Sequence, residues 1–180
     1  MATPTGGNAT PVFRIIDSLA PNELHRDVWA ACQEKRWYFG NQSVTDKPAN
    51  PFWKMDLDGV EAIDRLWVLA KAGCEKITGR PLRVARQYAN GHTYGLGGQP
   101  HRDDVRNGTF TLLYYPMLEW QQEWEGETLF FGSNGMVTAG VPIAPNRAVL
   151  FDSRVLHAGR APGRSFSGLR VTLAFKLEPA

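Results

Sequence analysis

Cysteine is scarce in this sequence, which contains only Cys32 and Cys74 among 180 residues. Their spacing matches neither a disulfide framework nor a cysteine-based metal site. Both lie in segments that we predict to be helical, and free cysteine commonly behaves as a small buried hydrophobe. We therefore expect two buried, reduced thiols and a fold that does not depend on disulfides.

A strong charge bias and long apolar runs are also missing. The 20 basic and 18 acidic residues give a net charge of +2, so the sequence predicts no nucleic-acid partner and no anionic membrane partner. No segment approaches the roughly 20 apolar residues that a membrane span requires. Residues 1–10 lack the basic start and apolar run of a secretory signal, and we expect a cytoplasmic protein.

Enough apolar material is present for one core. Hydrophobic residues make up 43% of the sequence, and a chain of this length fits a single domain, 1–180, better than two. We expect residues 1–81 to supply helical support and a loop, and residues 82–177 to form a β core.

The N-terminal part shows two helical patterns. Apolar periodicity predicts helices at Asn22–Arg36 and from a capping box of Asp58 and Glu61 to a stop at Gly79. A short strand is expected at Val12–Ile16. The long segment 40–56 reads as a loop, either a lid or recognition element or an ordinary surface excursion.

The second half contains a succession of strand-like runs separated by turn residues. Such spacing is typical of an antiparallel sandwich or barrel, and helices followed by strands indicate an α+β, mainly β protein with its helices outside. The predicted strands are Leu82–Tyr88, Thr109–Tyr115, Glu127–Phe131, Met136–Val141, Ala148–Phe151 and Leu169–Leu177.

The last of these strands has two different faces. Its bulky residues alternate with Arg170, Thr172, Ala174 and Lys176. We expect the bulky face to pack against the helices, and the small residues around Arg170 to line a cavity that contains a cation. The alternative is a solvated polar face, because half-buried strands alternate in the same way.

Three residues predict a metal site. In a strand, residues i and i+2 point to the same side, so His101 and Asp103 would present a nitrogen and an oxygen to one point. His157, in a later strand-like segment, would be the third ligand. Two histidines and one carboxylate leave coordination positions open, which suits a non-heme Fe(II) oxygenase.

The segment from Leu82 to Leu177 resembles the Fe(II)/2-oxoglutarate-dependent dioxygenases, specifically their prolyl 4-hydroxylase-like branch. The matching features are Tyr88, Gly91 and Tyr94 ahead of His101-Arg102-Asp103, the tyrosine-bearing strand 111–115, Gly126-Glu127-Thr128, and residues 151–157 followed by Arg170. The interval between His157 and Arg170 is longer than in many relatives, so Arg160 and Arg164 are rivals for the role of Arg170.

The resemblance implies a double-stranded β-helix, that is, a jelly-roll or cupin-like fold. It implies Fe(II) held by the triad, 2-oxoglutarate as cosubstrate, O2 as oxidant and ascorbate as a supporting reductant. In this family an arginine binds the far carboxylate of 2-oxoglutarate, which assigns that role to Arg170. The matching tyrosine is Tyr115, Thr172 is a further contributor, and Tyr88 would lie near the metal-bound end.

The implied activity is hydroxylation of an unactivated C–H bond in a small molecule or an accessible side chain, prolyl included, while 2-oxoglutarate becomes succinate and CO2. The alternative is a cupin-like module that binds a metal or ligand without turnover. The sequence predicts no particular oligomeric state. Candidate substrate-binding residues, each with ordinary packing or exposure as its alternative, are Asp104, Arg106, Trp37, Asn41, Trp53 and His92.

Overall fold

Two antiparallel sheets and two helices make up the computed structural model, which describes residues 13–34, 36–43 and 50–180. The helices are α1 (Asn22–Cys32) and α2 (Glu61–Thr78), and a short 3-10 helix spans Gln122–Trp124. The strands are β1 (Phe13–Ile16), β2 (Tyr38–Asn41), β3 (Phe52–Asp56), β4 (Leu82–His92), β5 (Phe110–Tyr114), β6 (Thr128–Phe131), β7 (Val137–Val141), β8 (Ala148–Asp152), β9 (His157–Gly159) and β10 (Arg170–Pro179).

The larger sheet has seven strands in the order β1-β8-β5-β10-β4-β3-β2, and the smaller has the order β7-β6-β9. One face of the large sheet packs against the helices, and the other faces the small sheet. The expected jelly-roll arrangement with helices outside is confirmed. Neither helix in the described residues is long and apolar enough to cross a membrane.

Strand β10 lies at the centre of the large sheet, between β5 and β4. Its bulky residues Val171, Leu173 and Phe175 belong to the core cluster that contains the helices' buried residues. Trp67 of α2 stacks on Phe175 with ring centroids 6.2 Å apart. The opposite face of β10 therefore points away from the helices, toward the space between the sheets.

The helix predictions are correct in type but not in every boundary. Helix α1 ends at Cys32, not Arg36, and the Trp37 indole N–H donates to the Cys32 carbonyl at 3.0 Å. Helix α2 begins after Val60, without a side-chain cap, so the predicted capping box at Asp58 is wrong. Gly79 ends α2 in the left-handed conformation, with φ of 72°, as glycine does at many helix ends.

The segment 40–56 is not simply a loop. Strand β3 pairs with β4 and β2 pairs with β3, so this segment extends the large sheet by two strands. Residues 44–49, the middle of the predicted loop, lie outside the described residues.

Both cysteines are free and buried, as expected. Burial raises the pKa of the Cys32 thiol to about 12 and that of Cys74 to about 11. Such thiols stay protonated at neutral pH and are poor nucleophiles, which fits a purely packing role.

Candidate metal centre

His101 and His157 lie directly opposite each other across an antiparallel bridge. The His101 N–H donates to the His157 carbonyl at 2.9 Å, and the His157 N–H donates to the His101 carbonyl at 3.0 Å. Side chains of such a cross-strand pair leave the backbone on the same side, and the two ring centroids are 4.4 Å apart. This bridge explains how two imidazoles 56 positions apart converge.

Asp103 completes the group. Its Oδ1 lies 3.2 Å from His101 Nε2, and its Oδ2 lies 3.5 Å from His157 Nε2. One potential ligand atom from each of the three residues lies within 4.8 Å of the others. Within residues 13–34, 36–43 and 50–180 this is the one cluster of three or more such side chains that could hold a metal ion.

The predicted strand at 101–103 does not form, since only His101 makes an isolated bridge. Asp103 is fixed instead by its N–H, which donates to the Ser153 carbonyl at 2.9 Å. The i, i+2 spacing still brings the carboxylate beside His101, but through two separate backbone contacts.

Both imidazoles present Nε2 to the centre because their Nδ1 atoms are engaged. His101 Nδ1 lies 2.8 Å from the Gln99 carbonyl, and His157 Nδ1 lies 3.0 Å from the Val155 carbonyl. A carbonyl only accepts, so each Nδ1 carries the hydrogen and each Nε2 keeps a lone pair. Backbone carbonyls commonly orient metal-binding histidines in this way.

The two oxygens of Asp103 differ in their surroundings. Thr111 donates its hydroxyl to Oδ2 at 2.6 Å, and the Lys176 ammonium contacts the same oxygen. Oδ1 faces His101. The carboxylate is thus held through Oδ2, which leaves Oδ1 as the better placed donor for a metal.

Electrostatics keep Asp103 and His157 in the form that binds a cation. Burial alone would raise the pKa of Asp103, but the Lys176 ammonium and the neighbouring imidazoles hold it well below its usual value. Burial lowers the pKa of His157 to about 4, with Asp103 opposing this shift. Metal ligands must be deprotonated, and at neutral pH these two are.

Arg170 lies at the start of β10 and is only 1% exposed. Its Nε donates to the Gly126 carbonyl at 2.7 Å, and its Nη1 donates to Thr172 Oγ1 at 2.7 Å and to His92 Nδ1 at 3.1 Å. Gly126 has φ of 85°, and a Cβ there would lie 3.2 Å from Arg170 Nε. A glycine is therefore suited to this close approach.

Two buried donors near Arg170 have no partner in the described structure, namely Arg170 Nη2 and His92 Nε2. Because the guanidinium can only donate, His92 Nδ1 accepts and Nε2 carries the hydrogen. Burial, with a further effect of Arg170, holds the pKa of His92 well below its usual value, so this ring is neutral. Unpaired buried donors are costly, and both residues line the cavity that also reaches His101 and His157. These donors suit an anionic ligand such as a carboxylate.

The other predicted cosubstrate residues, Thr172, Tyr115 and Tyr88, differ in how they relate to the cavity that contains Arg170. Thr172 accepts from Arg170, so it orients the guanidinium. The Tyr115 hydroxyl is wholly buried and 2.7 Å from the Thr128 hydroxyl, and it is Thr128 that lines the cavity. Tyr88 lines both this cavity and an adjoining one of about 280 Å³.

The predicted substrate residues are spread over the molecule. Asn41 lines the adjoining cavity, and His92 lies beside Arg170. Asp104 and Arg106 pair with each other at 2.7 Å, and neither lines the two cavities at the triad.

Two tryptophans in the predicted substrate set do not line the triad cavities either. Trp37 lines a separate apolar groove with Trp29 and Trp124. Trp53 contacts Phe39 with ring centroids 5.2 Å apart and is absent from the lining of both triad cavities. The cavity walls therefore draw on only part of the predicted substrate set.

Sequence reasoning missed the place of Lys176 and Thr111 beside Asp103. The alternation of the last strand did put Lys176 on the face of Arg170, and that was the available signal. No sequence pattern pointed to Thr111, because its position opposite Asp103 depends on the contact between distant segments.

No family model matches this sequence, and no curated protein matches it. Solved structures do. A prolyl hydroxylase from Trichoplax adhaerens, in complex with a peptide fragment, matches over 94% of this chain and 84% of its own, at 17% identity and a TM-score of 0.67. A Pseudomonas putida prolyl-4-hydroxylase matches over 93% of this chain and 92% of its own, at 19% identity and a TM-score of 0.64.

A third similar structure is the non-heme alpha ketoglutarate-dependent carbocyclase SnoK from nogalamycin biosynthesis. It has a TM-score of 0.73 at 13% identity, over 94% of this chain and 80% of that one. The similar structures thus include both prolyl hydroxylases and an enzyme that acts in the biosynthesis of a natural product. The chain has the fold that these prolyl hydroxylases and alpha ketoglutarate-dependent enzymes share.

Proposed function

We propose that this protein is an Fe(II)- and 2-oxoglutarate-dependent dioxygenase that hydroxylates a C–H bond of a small molecule or an accessible side chain. The observation that carries the proposal is a combination: His101, His157 and the unpartnered donor of buried Arg170 line one cavity, and Asp103 completes the cluster with the two histidines. A metal site alone requires no buried arginine with a free N–H. This combination favours an enzyme over a cupin-like binding module.

Each residue has a distinct role in this proposal. His101 Nε2, His157 Nε2 and one oxygen of Asp103 hold the ferrous ion and leave the remaining coordination positions open. Arg170 anchors the far carboxylate of 2-oxoglutarate by charge-assisted hydrogen bonding. Thr172 holds the guanidinium in place from the same strand face.

Neighbouring groups complete the cosubstrate end of the cavity. Neutral His92 offers its Nε2–H to the carboxylate that Arg170 binds. Tyr115 keeps its proton because burial raises its pKa, and its buried hydroxyl is hydrogen-bonded to that of Thr128, which lines the cavity. When bound, iron and 2-oxoglutarate supply the oxidising chemistry, in which 2-oxoglutarate and O2 yield succinate, CO2 and an oxidised substrate carbon.

The proposed substrates are small molecules and accessible side chains, prolyl groups included. The similarity to prolyl hydroxylases supports the reaction type more than the substrate, because shared folds host enzymes with unrelated substrates. Phe52 and the backbone around Gly98 line the cavity beside His101, which is where a substrate carbon would approach the metal.

An anaerobic titration tests this function. Fe(II) and then 2-oxoglutarate are added to the protein without oxygen, and the charge-transfer absorption of the chelated cosubstrate is recorded. We expect a band that saturates with 2-oxoglutarate, followed by succinate release when oxygen and a substrate panel are added. A folded protein that binds iron but gives no band would contradict the proposal.

A further inference from the structure

Three cations surround the ring of Tyr88, next to the candidate metal centre. Lys54 Nζ lies 5.1 Å from the ring centroid, Lys176 Nζ lies 5.6 Å away, and Arg86 Cζ lies 6.0 Å away. They come from the neighbouring strands β3, β10 and β4. A single aromatic face stabilises a cation by a modest amount, and only two of the three cations, Lys54 and Lys176, also have a carboxylate partner.

Lys176 and Arg86 are directly opposite each other in the β10–β4 pairing. Like charges in this position destabilise a sheet. Lys176 is also only 8% exposed, so water screens its charge poorly. An arrangement of this kind is favourable when an anion lies between the cations.

The carboxylates already present offset two of the three charges. Asp103 takes the Lys176 contact through Oδ2 but is a proposed metal ligand, and Asp56 is paired with Lys54 at 2.6 Å. Arg86 has no ion pair in the part of the chain that the structure describes. Asp103 uses one of the three N–H donors of Lys176, which leaves two for another acceptor.

The cavity beside this cluster is small. It measures about 280 Å³, and its charged lining residues are Lys54, Asp56, Asp58, Arg86, Arg102 and Asp103. Asp58 and Arg86 are both exposed, and Arg102 donates to the Arg154 carbonyl. Ligand cavities usually measure about 300–1,000 Å³, so this space suits a small molecule or one side chain.

We propose that the substrate carries an oxyanion, a carboxylate or a phosphate, which Arg86 and Lys54 bind over Tyr88 while Lys176 faces it from β10. This inference rests on the proposed oxygenase function. A guanidinium fork matches the geometry of both oxyanions. The oxyanion would anchor the substrate with its reacting carbon toward His101 and His157, on the side of the centre away from Arg170.

The test uses pairs of probes that differ only in one oxyanion. The anaerobic protein is loaded with Fe(II) and saturating 2-oxoglutarate and then titrated with N-acetylproline and its amide, benzoate and benzamide, and phosphoserine and serine. Binding is followed by calorimetry and by the shift of the charge-transfer band. We expect at least one oxyanion probe to bind about tenfold or more tightly than its neutral partner.

Variants then identify the residues responsible for the preference for the oxyanion probe. Arg86→Gln should reduce that preference to about threefold or less, and Lys54→Gln should weaken it too. Arg83→Gln is the matched control, because Arg83 lies on the same strand but pairs with Glu178. Lys176 is left unchanged, since its loss would also alter Asp103.

Equal binding of the members of every pair would overturn the inference, as would a preference that Arg86→Gln leaves intact or that Arg83→Gln removes equally. The failure of the oxygenase proposal itself would look different. In that case the band of chelated 2-oxoglutarate would be absent before any probe is added.

Discussion

The replacement Arg170→Gln tests the proposed cosubstrate pocket most directly. Arg170 is fully enclosed, and its Nη2 has no partner in the described structure. A hydrogen bond to a charged group contributes about 1.5–3 kcal/mol, and leaving a buried charge without its partner costs about 3–5 kcal/mol. We therefore expect 2-oxoglutarate to bind about 2–4 kcal/mol more weakly, which is roughly 30- to 1,000-fold.

Glutamine is chosen because its amide can still donate to the Gly126 carbonyl that Arg170 now contacts. The assay is the anaerobic charge-transfer titration, with iron content measured in parallel. Iron affinity should change little, because Arg170 contacts none of the three ligands. Arg160→Gln is the control, since Arg160 is half exposed and pairs with Glu125 at 2.7 Å.

Two results would refute this reasoning. One is an unchanged affinity for 2-oxoglutarate in Arg170→Gln. The other is the loss of iron together with 2-oxoglutarate in a variant whose circular dichroism is unchanged, which would mean that Arg170 supports the metal site. A large effect of Arg160→Gln would move the anchoring role to the rival arginine.

Three further outcomes are expected. Asp103→Asn should lose iron on anaerobic gel filtration, whereas Thr111→Val, which removes only a hydrogen bond to that carboxylate, should weaken iron binding by about tenfold to 100-fold; equal iron content in all three proteins would contradict the assignment. The metal-free protein should lose stability on acidification from pH 6.5 toward 4, because folded His157, with a pKa of about 4 against an ordinary 6.5, binds fewer protons there than the unfolded chain. The free energy of unfolding should fall by about 3 kcal/mol from this group, as urea denaturation at several pH values would measure, and a His157→Gln variant with the same pH dependence would show the effect to be elsewhere. Leu173→Ala, on the helix-facing side of β10, should cost about 2–5 kcal/mol in urea denaturation while iron affinity stays close to that of the wild type; a cost below 1 kcal/mol would contradict the tight packing of this face.

The sequence was most informative where one segment carried a complete pattern. The alternation in β10 predicted both its core face and its cavity face, and Gly79 marked the end of α2. These features depend on residues close together in the chain, so their physical cause is local. The convergence of His101, Asp103 and His157 was also predicted, through residue types and spacing.

Features that depend on pairing between distant segments were harder to predict. Strands β2 and β3 are short and lie around residues that read as a loop. Strand β3 forms because β4 offers it an edge, and β2 pairs in turn with β3. Strand β9 has three residues, too few for an alternation pattern. The contact of Lys176 with Asp103 and the bond between His92 and Arg170 likewise require knowing which strands are neighbours.

The reciprocal bridge between His101 and His157 restricts how this chain could change in length. Neighbouring residues of an extended strand face opposite ways. A slip of one position in this pairing would therefore turn one imidazole away from the metal centre. A single-residue insertion next to either histidine should therefore abolish iron binding. The exposed turn between β6 and β7, around Asn134 and Gly135, can lengthen without shifting that pairing, and it is the natural place to insert a tag or a linker.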